Sequence, residues 1–453
     1  MKKLIALLLT LVMLLPAFAA CAEALDTSWI LEDDTSISGD ISFWIPFKGS
    51  QGMDALIADF NSVYPNIKVT LNTYNNNSDG NLSVNTSIMA GEVDVLASFG
   101  LSNVYKRWDA ALYEDLTELV EEENIDLVAN WGSEAFKLDD CIYTFPCGGL
   151  SYYVAINMTA WEKAGLGELP AEWTWDEYLA ASKAMTEYNE DGSVKVYGGS
   201  DYHSVNYFTY CYGSVEGKNA YYDADGTSSF DNPAMIKALE REVQAELVDK
   251  IWFPKATYRG DNLQSQQTFL VERVVNSTVN PNMVRFLPDT ENYGVDFITG
   301  FAPWPVEEKG QTNYMSGVVP FSHAGICTTP EGRTDEEFQA CWAFLKWYST
   351  YGVKYLVAAG HQPNWTGTVA GSALDLLFGS EEEAAKFVDI ESFKRVVGVA
   401  TNPAYFEDEL TAYSTVNSTL TEYAMYALNG TMTAEEAMLE AAKIADEAIA
   451  KER

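Results

Sequence analysis

The sequence predicts an α/β protein of two packed lobes, each a mainly parallel sheet flanked by helices. Three observations carry this. Between residues 41 and 99 the apolar pattern switches between period two and helical spacing in the order β-α-β-α-β, which is how parallel strands alternate with crossover helices. The same grammar starts again at Tyr153. The 453 residues are 47% hydrophobic and 13% aromatic, enough for two cores, and no low-complexity linker separates the halves.

The elements follow in order. Ile41-Ser-Phe-Trp-Ile45 alternates as a strand. Met53, Leu56, Ile57, Phe60 and Tyr64 mark a helix that Pro65 ends. Ile67, Val69 and Leu71 alternate as a second strand. A helix over 81–91 closes on Gly91, and Val93 to Phe99 reads as a third strand. Tyr153 to Asn157 is a strand of the second unit. Thr174/Glu177, Thr334/Glu337 and Thr433/Glu436 have capping-box spacing, so a helix starts after each. Asn232-Pro233 starts another, with Asn at the cap and Pro in the first turn.

The N-terminus reads as a targeting segment. Lys2 and Lys3 precede an apolar run from Ile5 to Leu15, and small residues lead to Cys21. Residues 1–20 are therefore expected to be a signal peptide and 21–37 a tether. Cys21 has two readings. It is the lipidated first residue of an exported lipoprotein, or it merely lies beside an A-x-A cleavage site at Ala17-Phe18-Ala19. Lipidation is the expectation taken forward, although Phe-Ala-Ala before Cys21 departs from the usual aliphatic-first pattern.

Composition excludes several functions. A formal charge of −38 repels nucleic acid and anionic lipid. Six cysteines and three histidines show no ligand-like spacing, so no metal and no cofactor is expected. Phosphate-loop, H-E-x-x-H and G-x-S-x-G motifs are absent from the sequence.

Eight segments in sequence resemble the extracellular solute-binding proteins of carbohydrate ABC importers, the family that includes maltose-binding protein. They begin with the Ile41–Ile45 strand and Phe60-Asn-Ser-Val-Tyr-Pro65-Asn-Ile-Lys-Val69. Ile88-Met-Ala-Gly91-Glu-Val-Asp94-Val95 follows, without the family's usual Pro. Then come Leu112-Tyr-Glu-Asp-Leu116-Thr117, Ile142-Tyr-Thr-Phe-Pro146 with Tyr153–Asn157, and Ala164-Gly165-Leu166. Trp173-Thr-Trp175-Asp-Glu177 and Gly360-His-Gln-Pro363 complete the set. The resemblance implies a periplasmic-binding-protein fold with hinge crossings near 146–150, 299–305 and 353–365. Lobe one would be 38–147 plus 301–353, and lobe two 148–300 plus 354–453. It implies a monomeric receptor that captures a carbohydrate in the interlobe cleft and delivers it to an ABC importer permease. A non-sugar solute and a secreted carbohydrate-active hydrolase using paired carboxylates are the alternatives.

Ligands of open α/β sheets sit beyond the carboxyl ends of strands. In the first lobe that singles out Trp44, Phe47 and Lys48 after the first strand, and Ser98 and Phe99 after the third. Asp94 and the Trp173/Trp175 pair are expected to be structural. Alternation allows only one of Tyr152 and Tyr153 to see a ligand, and Tyr153 is the residue taken forward. Tyr202 to Tyr212 is dense in rings that suit sugar C–H faces, with Tyr202 and Tyr212 as candidates. The amides of Asn280 and Asn282 suit hydroxyls. Trp304 lies at a return hinge, and Trp365 follows the Gly360–Pro363 turn, where an outward ring is expected.

Overall fold

The computed structural model describes residues 25–32, 34–47, 51–134, 136–368, 372–397, 403, 405–407 and 410–453. Cys21, Lys48 and the leader lie outside them. The strands are β1 (Gly39–Pro46), β2 (Ile67–Tyr74), β3 (Val95–Phe99), β4 (Phe145–Leu150) and β5 (Tyr153–Asn157). There follow β6 (Glu187–Tyr188), β7 (Val194–Val196), β8 (Asn276–Val279), β9 (Thr299–Pro303), β10 (Val319–Ile326) and β11 (Gln362–Pro363).

The first lobe holds a six-stranded sheet in the order β11-β4-β10-β3-β1-β2, and the second a three-stranded sheet in the order β8-β5-β9. The two-lobed α/β arrangement is as expected, but the sheets are mixed. β1 pairs parallel with β2 and β3. β10 runs antiparallel to β3 and β4, and β5 is antiparallel to both its neighbours. The reason is connectivity: β4, β10 and β11 enter or leave the other lobe and need no crossover helix on their own sheet.

All three capping boxes form, at Thr174, Thr334 and Thr433. Asn232 caps the helix Pro233–Val243. The helix Asp335–Ser349 lies under the first sheet, with Trp342 and Phe344 fully buried. Its Lys346 is also buried, and Glu32 at 2.7 Å and Glu123 at 2.8 Å match its charge. Glu32 belongs to the segment expected as a tether. Trp29 and Ile30 from that segment pack into the first lobe's core, so part of 21–37 is folded onto the lobe.

The expected lobe boundaries fall too early. Leu150 still pairs with Val319 in the first sheet, so the first crossing is at Ser151–Tyr152. Phe301 and Ala302 pair with β5, and Met315 sits in the second core, so the return comes just before β10. Leu356 and Trp365 pack in the first core, whereas Leu374 packs in the second.

Candidate functional site

The strand ends that face the lobe boundary carry rings on both sides. On the first lobe Phe99 ends β3 and Phe321 lies early in β10, with centroids 5.5 Å apart. His361 covers both, 4.6 Å from Phe99 and 5.5 Å from Phe321. On the second lobe Tyr152 opens a tyrosine cluster. Its centroid is 5.3 Å from Tyr207, 6.0 Å from Tyr202 and 6.2 Å from Tyr210. Trp304 backs it at 5.9 Å. The Tyr152 and Tyr207 hydroxyls are 2.8 Å apart. The Asn280 amide donates to the Tyr202 hydroxyl at 2.9 Å and accepts from the Asn282 backbone N–H at 3.1 Å.

Beyond this inner layer an interlobe cleft of about 810 Å³ opens. The first lobe lines it with Tyr105, Trp108, Asp109 and Asp139, the second with Tyr413 and Asn417. The tyrosine cluster lies behind its second-lobe wall. Asn206 donates to the Tyr221 hydroxyl at 2.6 Å and to Asn417 Oδ1 at 3.1 Å, and the Tyr221 ring is 5.6 Å from Tyr413. Burial pushes the Tyr152 phenol up to about 12, and those of Tyr202, Tyr207 and Tyr210 higher still. Burial also pulls His203 down to about 4 and His361 to about 3. Near neutral pH these phenols are therefore protonated donors and these imidazoles are uncharged. Among the described residues no group of three or more His, Cys, Asp or Glu is placed to hold a metal ion.

A family model described as the bacterial extracellular solute-binding protein matches residues 47–355. The chain belongs to this family. No curated protein is matched on sequence. Solved structures share the fold. An ABC substrate-binding protein from Listeria monocytogenes in complex with cycloalternan is 17% identical, with a TM-score of 0.68 over 91% of this chain and 99% of that one. A sugar transporter from Rhizobium etli in an open conformation is 15% identical, with a TM-score of 0.72 over 90% and 99%. A maltose/maltodextrin-binding domain from Bdellovibrio bacteriovorus bound to maltotriose is 16% identical, with a TM-score of 0.60 over 91% and 100%. The family is one of exported binding proteins, and no helix among the described residues is long and apolar enough to cross a membrane.

In this solute-binding protein the residues expected from sequence divide sharply. Tyr202, Asn280 and Trp304 come together in the second lobe's ring cluster, and Phe99 sits with Phe321 and His361 at the end of β3. Asn282 lies at the same boundary, against Gly360. Phe47 is largely exposed at the end of β1. The others are placed elsewhere. Trp44 packs over β1 toward Tyr74 and Val84, with its indole donating to Ser42 at 2.9 Å. Ser98 is occupied by Tyr113 at 2.6 Å and by buried Arg107 at 2.8 Å. Tyr153 points into the core around Phe301, so Tyr152 is the member of the pair in the ring cluster. Tyr212 donates to Asp223 at 2.5 Å in a separate hollow of the second lobe.

Trp365 is the main correction. It is 6% exposed, its indole donates to Asn130 Oδ1 at 2.8 Å, and its ring meets Tyr351 edge-on at 5.5 Å. It is a core residue of lobe one and no platform. Asp94 accepts from the Ser42 N–H at 2.8 Å and pairs with Arg333 at 3.0 Å, the structural role expected of it. Trp173 and Trp175 are buried, also as expected.

Sequence reasoning missed Trp108, Tyr413 and Asn417. A signal for Trp108 exists: the helix Leu101–Asp109 buries Val104 and Arg107, and Trp108 is off that stripe just beyond a strand's carboxyl end. Tyr413 and Asn417 sit on the first turns of the helix Tyr413–Leu428, and no motif marks them.

Proposed function

We propose that the protein captures a neutral sugar or oligosaccharide in this cleft, closes its lobes on it, and hands it unchanged to an ABC importer permease. The observation that carries the reading is the pairing of Trp108 and Tyr413 across a cleft that also exposes the Asn417 amide. Rings suit the apolar faces of a pyranose, while amides and carboxylates suit its hydroxyls. The cleft volume is within the range of small-molecule sites. Lining acids Asp109, Asp139 and Glu452 outnumber the lining base Lys106, which disfavours anionic sugars. Cycloalternan and maltotriose in two structurally similar proteins support the same ligand class.

The test is a thermal-shift screen of neutral, acidic and phosphorylated sugars with recovery of the ligand afterwards. A neutral oligosaccharide at 100 times its Kd should stabilise the native state by about 2.7 kcal/mol and be recovered intact. A response only to anionic solutes, or cleavage of the sugar, would refute the reading. We infer that the receptor works as a monomer tethered through lipid on Cys21, the reading supported by the basic Lys2-Lys3 start, the apolar run Ile5 to Leu15 and the small residues that lead to Cys21. Mass spectrometry of the mature N-terminus checks this, and an unmodified chain starting at Glu23 rejects it.

A further inference from the structure

Behind the tyrosine cluster one lysine is buried among three carboxyl groups. Lys255, fully buried, opens the helix Lys255–Gly260. Its ammonium lies 3.6 Å from Asp201 and 3.6 Å from Glu242. Its backbone N–H donates to Glu246 at 3.0 Å. The ammonium donates to the carbonyl of Tyr202, and to that of Ser204 at 2.9 Å. These two carbonyls bracket the start of the segment that carries Tyr207 and Tyr210. Asn206 in the same segment reaches Asn417 and Tyr221 at the cleft wall.

We propose that Lys255 is the positioning residue of the ligand site: with Asp201, Glu242 and Glu246 it pins residues 202–210, and through them the second-lobe wall of the cleft. This rests on the cleft being the binding site. Three carboxylates against one ammonium would leave net negative charge in a site sealed from water, which is costly. The cluster avoids it by holding protons. Burial pushes Glu246 up to about 8 and Glu242 well above the usual carboxylate range, with Asp201 close by adding to both. Burial opposes ionisation of Asp201, but the Lys255 charge and the hydrogen bond from the Thr278 hydroxyl at 2.7 Å help hold it below the usual carboxylate range. The cluster is thus an Asp201–Lys255 ion pair beside two glutamic acids that hold their protons more tightly than usual.

The neighbouring groups titrate elsewhere. The Tyr178, Tyr197 and Tyr258 phenols are pushed up, chiefly by burial. His203 is already neutral, and the Cys211 thiol beside Arg241 is pushed far up by burial. Glu246 loses its proton as pH rises to about 8, and its ionisation unbalances the support of 202–210.

Hydrogen exchange on the full mature chain tests this without a ligand. Lys255→Met should speed exchange across 202–210 by about tenfold or more, while β1–β3 keep wild-type rates. In the wild type, exchange of 202–210 should rise beyond the intrinsic rise as pH climbs from about 5 to about 8 and level off above it, and Glu246→Gln should flatten that profile. Wild-type protection of 202–210 in Lys255→Met, or an unchanged profile in Glu246→Gln, overturns the proposal. If Lys255→Met does not fold, the Glu246→Gln profile decides alone. Calorimetric titration with maltotriose is run alongside, and Lys255→Met should weaken it by about tenfold or more. Failure of the wild type to bind any sugar in the screen would sink the sugar reading and leave the exchange result standing.

Discussion

Replacing Trp365 with alanine is expected to lower stability and leave ligand affinity in the folded fraction unchanged. The ring is 6% exposed within the first lobe's core, so its removal leaves a cavity costing about 3–5 kcal/mol. The change also strands Asn130, itself 1% exposed, whose Oδ1 accepts from the indole. An orphaned buried acceptor costs about 1–3 kcal/mol, although Asn130 keeps its amide bond to the Asp126 carbonyl at 2.9 Å. The two losses share a site and do not add fully, so about 4–6 kcal/mol is expected. For a lobe of this size that corresponds to a fall in melting temperature of roughly 10 °C or more. Trp365→Phe should recover part of the packing term and none of the hydrogen bond. Melting curves and calorimetric titration of the same samples separate the effects. A variant that melts like the wild type but loses its ligand would refute the reasoning and return Trp365 to the site.

The remaining expectations follow from the same contacts. Trp108→Ala should weaken sugar binding by about 1–3 kcal/mol with little change in melting, because its helix buries Val104 and Arg107 instead. Lys346→Met should leave Glu32 and Glu123 facing a buried apolar group and release the segment around Trp29, which limited proteolysis would detect as cleavage near residue 30. Glu246 has a folded-state value of about 8, above its unfolded one, so the folded state binds more protons between the two. Its contribution is fully present at acid pH and is lost as pH rises to about 8, so Glu246→Gln should flatten the pH dependence of stability over that window. Small-angle scattering at saturating sugar should give a smaller radius of gyration than the apo protein, as hinge closure requires.

The fold was legible because its signals are local. Capping boxes at Thr174, Thr334 and Thr433 need only two side chains at fixed spacing, and all three form. The Tyr153–Asn157 strand was read to the residue. Strand direction in the second lobe was not legible, since an antiparallel β5 and a parallel one alternate identically. The lobe boundaries were read too early for a related reason. Leu356 and Trp365 look like any apolar residues near a turn, and which lobe's core takes them depends on contacts far away in sequence.

The site was harder, and the two tryptophans show why. Trp365 and Trp108 are the same residue type, each near a turn or element end and off any obvious stripe. What separates them is place: Asn130, 235 positions away, holds the Trp365 indole inside the first lobe's core. Trp108 has Tyr105 edge-on at 6.3 Å and Tyr143, its hydrogen-bond partner, tilted at 6.4 Å, and it is half-buried and lines the cleft. An acceptor is one way to hold an indole inside, but Trp131 and Trp304 are buried with no partner for their Nε1, so ring packing alone suffices for them. Among the tyrosines some hydroxyls find partners and others, such as those of Tyr153 and Tyr348, are buried without one. Tyr202 finds Asn280, 78 positions on, and Tyr152 finds Tyr207, 55 positions on, so these hydroxyls can be withdrawn behind the cleft wall. In a chain with 26 tyrosines, ring density marks the region and hydrogen-bond partners choose the residues. The partners come from folding, so neither the inner place of Tyr202 nor the cleft-lining place of Tyr413 is written in the local sequence.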